Sequence, residues 1–345
     1  MLSQNIEGFS TSSLNQMADA LQSWYSPYRW SHPWRVLWGQ TRSPWCVWVS
    51  EVMLQQTVIA AVIPKYIAFM KRFPSAQDFA EANEETIRPY VSGLGYYRRF
   101  ALLHKGALQV AQEGYPQSRA MWQDVAGVGP YTSAALASIT LGEAVGVVDG
   151  NVERVLARIF NIQEIVATPQ WKSIFFSFMS RLTKLGDPGD LNQSVMELGQ
   201  TICRISSPHC SECPISNFCL ANKNQTQSQC PKPKAPKEFL KLSLLATLHT
   251  DGDKVFLIKR SEDSLLLKGT IGFPIKEIQK KPLRSQHFVK HNITKYKITA
   301  TFTHSLEAPQ GEGIWVKRKN MESFLLSSLD QKIWRLAQKN IFAEH

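Results

Sequence analysis

The sequence predicts a large, mainly α-helical domain, a linker and a small mixed α/β domain. Apolar residues recur at helical spacing before residue 222 and alternate with a period of two after residue 239. A polar stretch rich in lysine and proline separates the two parts. The 345 residues allow two domains. We therefore assign residues 1–222 to the helical domain, 223–238 to the linker and 239–345 to the α/β domain.

Two apolar stripes predict buried helix faces in the first part. Each stripe follows the spacing i, i+3, i+4, i+7 of a single helix face. The stripes are Trp45, Trp48, Val49 and Val52, and Val152, Val155, Leu156 and Ile159. Short breaks with glycine and proline interrupt the helical pattern, and no segment of this part alternates as a strand does. We therefore expect this part to be helical throughout.

Alternating residues predict strands in the second part. Apolar residues at every second position lead to a turn at Asp251–Gly252 and continue after it, which is typical of a β-hairpin. A further strand is predicted over residues 296–303, where Ile298, Ala300 and Phe302 alternate with threonines. These strands place a sheet in the α/β domain.

The sequence is basic, with 39 lysines and arginines, 28 acidic residues and a formal net charge of +11. This charge is a weak argument for a polyanionic partner. No apolar run is long enough to span a membrane, and the first residues lack the basic and apolar regions of an export signal. We therefore expect a cytoplasmic protein in a reducing compartment, without a membrane partner.

Four of the six cysteines lie in one short run, which indicates a bound inorganic centre. Cys203, Cys210, Cys213 and Cys219 follow the spacing C-x6-C-x2-C-x5-C. Four thiolates this close together can bind a [4Fe–4S] cluster or a tetrahedral zinc ion. A pair of disulfides is disfavoured because no secretory signal is visible. The unequal spacing favours the iron–sulfur cluster, although the number of sulfurs alone leaves zinc open.

Two glycine-containing turns are candidate DNA contacts. Residues 125–132 contain Gly127 and Gly129 before Pro130, which is typical of a helix-hairpin-helix turn. Such a turn presents backbone N–H groups to phosphates without reading the base sequence, although a plain tight turn has the same glycines. The second turn lies in residues 93–99, where two tyrosines and two arginines follow the glycines and suit contact with a base stack.

Two carboxylates are candidates for cleavage of a glycosidic bond. Asp149 precedes a predicted helix, so its side chain could simply cap that helix. Glu51 lies one turn from Trp48 beside an apolar stripe, where desolvation would raise its pKa and keep it protonated. One ionised and one protonated carboxyl form the pair that glycosidic cleavage uses. The functional interpretation requires that the two residues meet in the folded chain.

Together these segments resemble the MutY family, the adenine-DNA glycosylases of the endonuclease III superfamily. The matching segments cover nearly all of residues 20–222 in the family's order. They are HPWR at 32–35, SEVMLQQT at 50–57, GLGYYRR at 93–99, VAGVGPYT at 125–132, VDGNVERVLAR at 148–158, NQSVMELG at 192–199 and the cysteine run. The resemblance implies a two-lobed helix-hairpin-helix DNA glycosylase fold and a [4Fe–4S] cluster on the four cysteines.

The resemblance also implies a reaction and roles for individual residues. We expect removal of adenine paired with 8-oxoguanine or guanine in double-stranded DNA, after the adenine has been flipped out. Glu51 matches the acid that protonates adenine N7, and Asp149 matches the carboxylate that stabilises, or covalently traps, the sugar cation. The other matches are Tyr131 and Asn151, which organise these two groups, Trp34, Arg35, Leu54 and Gln193 in the adenine pocket, and Gln56, Thr57, Leu94, Tyr96, Gly127 and Gly129 at the DNA.

Tyr131 distinguishes between two kinds of glycosylase. Endonuclease III-type lyases carry a lysine after the hairpin as a Schiff-base nucleophile, and a phenol cannot form that imine. We therefore expect a monofunctional glycosylase. We also expect the protein to be a monomer. The alternatives are a pyrimidine glycosylase/lyase, which Tyr131 disfavours, and a non-catalytic DNA-binding protein, which the presence of both carboxylates disfavours.

The C-terminal domain resembles the Nudix-like domain with which MutY proteins recognise 8-oxoguanine. Phe302, Thr303 and His304 match the lesion-reading residues, with threonine where the family more usually has serine. Ile271 and Gly272 replace the usual Trp-Glu before Phe-Pro. The stretch KEIQKKPLRSQHF contains a single glutamate, whereas Nudix hydrolysis needs several to hold Mg²⁺. We therefore expect lesion recognition without nucleotide hydrolysis.

Overall fold

The chain forms two compact units in the computed structural model. The first comprises Met1–Glu81 with Arg99–Lys234, and the second comprises Ala82–Arg98 with Ala235–His345. The structure describes residues 6, 9–92, 94, 98–233, 238–261, 263–278, 287–307, 309 and 311–342. The division agrees with a helical part followed by a sheet-containing part, except that residues 82–98 join the second unit.

The first part of the chain is helical, as predicted. Proline stands in the first turn of several helices, where its missing N–H is not needed. The helices are α1 (Thr11–Tyr25), α2 (Pro33–Thr41), α3 (Pro44–Leu54), α4 (Ile59–Arg72), α5 (Ala76–Ala80), α6 (Glu84–Val91), α7 (Arg98–Glu113), α8 (Arg119–Gln123), α9 (Pro130–Leu141), α10 (Gly150–Ile159), α11 (Pro169–Leu182), α12 (Pro188–Thr201) and α13 (Leu220–Lys223). In the part of the chain that the structure describes, no helix has both the length and the apolarity needed to cross a membrane.

Both predicted apolar stripes are buried. In α3, Trp48 packs edge to face on Trp122 at a ring distance of 5.4 Å, and Trp45 lies 5.6 Å from Phe79. The stripe of α10 packs against apolar side chains of α1, α11 and α12. Burial of these stripes fixes α3, which contains Glu51, and α10, which Asp149 precedes.

The predicted linker over 223–238 differs from the structure in its first half. Cys230 is buried, and the Arg158 Nε donates to the carbonyls of Gln227 and Cys230, each at 3.1 Å. The N–H of Lys232 donates to the Glu164 carbonyl at 3.0 Å. The chain therefore stays on the helical unit through residue 232. Composition alone suggested a solvated linker because it does not reveal that a buried arginine binds these backbone carbonyls.

The second unit contains a mixed sheet organised around its first strand. The elements are β1 (Leu240–Asp251), β2 (Lys254–Lys259), β3 (Ile271–Gly272), β4 (Ile275–Glu277), β5 (Phe288–Ile293), β6 (Tyr296–Ser305), β7 (Ile314–Lys317), α14 (Met321–Phe324) and α15 (Ser328–Asn340). In the described ranges the strand order is β3-β2-β1-β6-β5, with β4 paired to β1 and β7 to β2. Strands β1 and β6 run parallel, whereas β1 and β2 form an antiparallel hairpin.

The predicted hairpin is confirmed, with its turn at Gly252–Asp253, one residue later than predicted, and the predicted strand over 296–303 lies within β6. One residue differs from the predicted alternation: Thr301 is buried, and its hydroxyl donates to the Leu244 carbonyl at 3.3 Å. Helix α15 is held by a buried ion pair, in which Asp330 accepts from both terminal nitrogens of Arg260 at 3.0 and 2.8 Å. These contacts connect the end of the chain to the sheet.

Candidate active site

A cavity of about 470 Å³ lies in the first unit, and both candidate carboxylates line it. Glu51 reaches it from α3, and Asp149 reaches it from the residue before α10. The structure thus brings together the pair whose meeting the sequence left open. Other predicted residues that line this cavity are Trp34, Arg35, Leu54, Thr57, Tyr131, Asn151 and Gln193.

Burial raises the pKa of Glu51 from 4.5 to about 7, as the sequence led us to expect. A hydrogen bond from Tyr131 and the charge of Arg35 lower the pKa of Glu51, while the negative charge of Asp149 raises it. Burial, together with the charges of Glu51 and Asp149, raises the pKa of Tyr131 well above 10. The phenol therefore stays neutral, and Glu51 can hold a proton near neutral pH.

Asp149 is the N-cap of α10, so the capping interpretation is correct. Its Oδ1 accepts from the backbone N–H groups of Asn151 and Val152 at 2.9 and 2.8 Å. Its Oδ2 accepts from the Asn151 side-chain amide at 2.9 Å. The same carboxylate lines the cavity, so the cap also fixes a negative charge beside Glu51. Asp149 can therefore cap α10 and take part in the chemistry of the cavity at the same time.

A short chain of hydrogen bonds connects Asp149 to the cysteine run. Asn151 bridges it: its Oδ1 accepts from the Arg154 Nη2 at 2.9 Å. The Arg154 Nε then donates to the Cys203 carbonyl at 2.8 Å. Sequence reasoning missed Arg154, because arginines in a helix usually face solvent. The available signal was the spacing of three residues from Asn151, which puts both side chains on one helix face.

Arg35 is held in place at the cavity wall by two side chains of α12. Its Nε donates to the Gln193 Oε1 at 3.0 Å, and its Nη2 forms an ion pair with the Glu197 Oε2 at 2.9 Å. Trp34 is buried and stacks on His32 at a ring distance of 4.8 Å. Glu197 was missed, although its spacing of four residues from Gln193 places both on the same helix face.

The turn after α3 carries two predicted DNA contacts. Gln56 has a left-handed backbone with φ of 58°, and it is exposed but does not line the cavity. Thr57 lines the cavity and accepts from the Arg99 Nη2 through its hydroxyl at 3.1 Å. The Arg99 Nη1 donates to the Gln55 carbonyl. The buried Arg99 thus binds the turn on both sides of Gln56.

The predicted helix-hairpin-helix turn joins α8 to α9. Gly127 has a φ of 81°, and a Cβ there would stand 2.7 Å from the Leu102 Cβ, so only glycine fits. Gly129 is the extended N-cap of α9 and is exposed with open space around it. The start of this helix is therefore exposed at Gly129, where a phosphate could approach, although only the first glycine needs a positive φ.

Leu94 lies in the second unit and is only 6% exposed. A side chain that inserts beside a base pair must be accessible, so the burial of Leu94 differs from the sequence-based expectation. Beside it, the Ser92 hydroxyl accepts from the Gln331 Nε2 at 3.0 Å, and the Arg88 guanidinium lies over the Phe324 ring at 5.2 Å. Tyr96 lies outside the described residues.

The four cysteines of the run line one small cavity of about 30 Å³. The Arg158 Nη1 donates to the Cys203 sulfur at 3.3 Å, and the Gln227 Nε2 donates to the Cys210 sulfur at 3.7 Å. Among the described residues, no three His, Cys, Asp or Glu side chains are arranged as a ready-made site for a metal ion. The sulfurs therefore surround a cavity without converging on one point.

The chemistry of these sulfurs fits a thiolate-bound metal centre. Burial, together with the charges of the neighbouring cysteines, raises the pKa of Cys213 to about 12 and that of Cys219 to about 11. Without a cation these thiols would stay protonated at neutral pH. A metal centre would favour their thiolate form, so the donor set suits either an iron–sulfur cluster or zinc.

The predicted lesion-reading residues lie near the end of β6 in the second unit. Thr303 and His304 are exposed, whereas Phe302 is partly buried against the sheet core. The His304 Nε2 shares a hydrogen bond with the Thr250 hydroxyl at 2.7 Å. The hydroxyl of Thr303 is therefore accessible, while the ring of His304 is tied to β1.

Comparison with known proteins adds a family and relatives to this geometry. Residues 49–176 match the HhH-GPD superfamily of base excision DNA repair proteins. The human adenine DNA glycosylase is 40% identical over 218 residues, and that of Arabidopsis thaliana is 35% identical over 299 residues. These matches cover 61% and 75% of this chain but 40% and 47% of those relatives. The chain therefore spans less than half the length of the two longer proteins.

A bacterial relative matches along most of both chains, and a solved structure shares the fold. The adenine DNA glycosylase of Buchnera aphidicola is 28% identical over 322 residues, covering 86% of this chain and 92% of that one. A thermostable thymine-DNA glycosylase is 22% identical, with a TM-score of 0.53 over 63% of this chain and 99% of that chain. The predicted helix-hairpin-helix fold is thus confirmed. Residues 49–176 belong to the HhH-GPD superfamily of base excision DNA repair proteins, and the chain is similar to MutY-type adenine DNA glycosylases.

Proposed function

We propose that this chain is a monofunctional adenine-DNA glycosylase that removes adenine paired with 8-oxoguanine or guanine in double-stranded DNA. One observation carries the proposal: Glu51, with its raised pKa, and Asp149, fixed by three hydrogen bonds, line the same cavity. The names of the relatives supply adenine as the base. In this proposal the helical part is the glycosylase domain and the C-terminal part recognises the lesion.

The proposed reaction begins with a proton on Glu51. Neutral adenine leaves a sugar poorly, so Glu51 donates its proton to N7 of the flipped adenine. The bond from C1′ to N9 then breaks, its electron pair stays with the base, and the sugar becomes an oxocarbenium ion. The Asp149 carboxylate stabilises this cation. Water adds at C1′ and returns a proton to Glu51, which restores the acid.

The cavity wall supports adenine as the occupant. Trp34 and Leu54 provide apolar surface for a purine face, while Arg35 and Gln193 provide polar groups for its edge. The hydrogen bonds that fix Arg35 limit how far its donors can move, so the pocket is preorganised. Tyr131 and Asn151 orient the two carboxyl groups in this proposal. Because Tyr131 occupies the position of the lyase nucleophile, we propose hydrolysis without strand cleavage.

We also propose that Cys203, Cys210, Cys213 and Cys219 hold a [4Fe–4S] cluster. Four sulfurs that line one cavity support a centre bound by all four thiolates, and the resemblance to MutY proteins favours the cluster over zinc. When bound, the cluster would supply metal–thiolate bonds that hold the loop in one shape. Arg158 would then support the loop by its hydrogen bonds to the Cys203 sulfur and to the Arg204 carbonyl.

The proposed DNA contacts are spread over the turns described above. Gly127 and Gly129 bind phosphate through backbone N–H groups, while Gln56 and Thr57 approach the damaged pair. Leu94 and Tyr96 remain proposed contacts, although Leu94 must leave its buried site to act. Phe302, Thr303 and His304 read 8-oxoguanine from a Nudix-like domain. The protein acts on DNA as a monomer.

Substitution of either carboxyl group tests the proposed chemistry. We expect Glu51→Gln and Asp149→Asn each to slow adenine release by about a hundredfold or more, because one removes the acid and the other removes the stabilising anion. Single-turnover excision from a duplex with adenine opposite 8-oxoguanine, followed by alkali, measures the rate. Glu113→Gln, an exposed glutamate at the end of α7, is the control. Near-normal excision by either variant would disprove the assigned roles.

The pH dependence of the reaction follows from the raised pKa of Glu51. The acid must be protonated, so kcat/KM is expected to be full below about pH 7 and to fall about tenfold per unit well above it. This profile is measured between pH 5.5 and 9 at constant ionic strength. The residual activity of Glu51→Gln should lack the inflection. A wild-type profile that stays flat across pH 7 would contradict the acid role.

The proposed cluster is tested by metal content. We expect protein purified without air to contain iron and sulfide and to absorb visible light, whereas Cys213→Ser loses iron and binds DNA poorly. Cys46→Ser, the same change at a buried cysteine outside the run, should keep its iron. Stoichiometric zinc in the wild-type protein would instead assign the four cysteines to a zinc site.

Recognition of the lesion is tested at the exposed Thr303 hydroxyl. We expect Thr303→Ala to slow excision opposite 8-oxoguanine by about threefold to tenfold, the value of one hydrogen bond, with a smaller effect opposite guanine. Excision rates are compared on the two duplexes. Thr299→Ala is the control, because this residue stands on the same strand, four positions earlier. Equal losses on both duplexes would indicate general DNA binding.

A further inference from the structure

We propose that Arg99 is a positioning residue, which holds the turn after α3 so that the Gln56 side chain is presented to DNA. The inference rests on the proposed function, because Gln56 is a proposed DNA contact. Arg99 itself is buried, so its guanidinium acts through the turn and does not touch the duplex.

Arg99 binds the two residues that flank Gln56 in the sequence. One terminal nitrogen donates to the Gln55 carbonyl, and the other donates to the Thr57 hydroxyl at 3.1 Å. Gln56 stands between these two partners in sequence. The planar guanidinium, with its fixed arrangement of donors, can reach both groups at once. The backbone of the turn is thus bound on either side of Gln56.

The backbone of Gln56 requires such support. Its φ of 58° lies in the left-handed region, which disfavours residues with a side chain. Strained residues of this kind persist only where surrounding contacts hold them, and they concentrate at functional sites. Gln56 is exposed, so its own side chain does not contribute a buried contact that would explain the conformation. Within the turn, the Thr57 hydroxyl donates to the Gln55 carbonyl and the Thr57 N–H donates to the Leu54 carbonyl, each at 3.3 Å. Arg99 binds the same carbonyl and hydroxyl from a different helix, and so adds the long-range support that these local bonds lack.

Arg99 is itself fixed by its helix. Its guanidinium lies 5.1 Å from the ring of Phe100, which is buried in α7 together with Leu103. The side chain of Arg99 therefore fixes the position of the turn relative to the packed helix α7. Thr57 and Leu54, on either side of the turn, line the cavity together with Glu51. Arg99 thus also fixes the position of Gln56 relative to the proposed site of the flipped base.

The experiment compares Arg99→Met and Arg99→Lys in the wild-type chain and in Gln56→Ala. The measured quantity is the enzyme concentration that gives half-maximal single-turnover excision, together with the slope of its logarithm against the logarithm of salt concentration. We expect each Arg99 variant to raise this concentration about threefold to tenfold in the wild-type chain and less than twofold in Gln56→Ala. Arg72→Met, which removes an exposed arginine of the same unit, is the control for lost charge.

Lysine separates positioning from direct phosphate binding. Lysine keeps the charge but cannot span the two partners, so Arg99→Lys should resemble Arg99→Met, with an unchanged salt slope. A near-normal Arg99→Lys, a salt slope reduced by about one, or full additivity with Gln56→Ala would each overturn the proposal. In the free protein, hydrogen exchange over residues 53–60 should increase in both Arg99 variants and not in Arg72→Met, and unchanged exchange would also overturn it. If the wild-type chain released no adenine, the proposed function would be wrong. The hydrogen-exchange result would still test whether Arg99 holds the turn after α3.

Discussion

The N-terminus of α10 is the feature on which the candidate site depends. The Asp149 side chain closes this helix and accepts three hydrogen bonds, two of them from backbone N–H groups. A negative charge at a helix N-terminus is also favoured by the helix dipole. The anion is therefore fixed by the same contacts that start the helix. Glu51 stands in the same cavity with a pKa raised chiefly by burial, so a proton donor lies beside a carboxylate that the helix holds in place.

The same helix also holds the cysteine loop. Arg154 joins Asn151 to the Cys203 carbonyl, and Arg158 binds the Cys203 sulfur together with carbonyls on both sides of the loop. Two arginines one turn apart thus tie one helix to a loop whose sulfurs face a shared cavity. A change in the loop can reach Asp149 through only two intervening side chains. This connection gives the cysteine run a physical relation to the site even though it lies outside the cavity of the carboxyl groups.

Two compact units divide the chain in a way that sequence order does not suggest. Residues 82–98 belong with the C-terminal sheet, because the Arg88 guanidinium packs over Phe324 and the Ser92 hydroxyl accepts from Gln331. Residues up to 232 belong with the helices, because Arg158 and Glu164 bind their backbone. Both boundaries depend on a few long-range polar contacts. Local composition, which suggested a continuous helical domain and a solvated linker, does not report such contacts.

The sequence by itself determined the helical first part, its buried stripes, the hairpin in the sheet and the family, because these follow from local periodicity and from motifs. It also indicated that Glu51 would be desolvated, because an apolar stripe lies beside it. Only the tertiary structure decided that Glu51 and Asp149 share a cavity, that Arg154 and Glu197 support it, and that Leu94 is buried. These outcomes depend on side chains distant in sequence that meet after folding. Neither the left-handed backbone of Gln56 nor its support by Arg99, more than forty residues later, has a local signature.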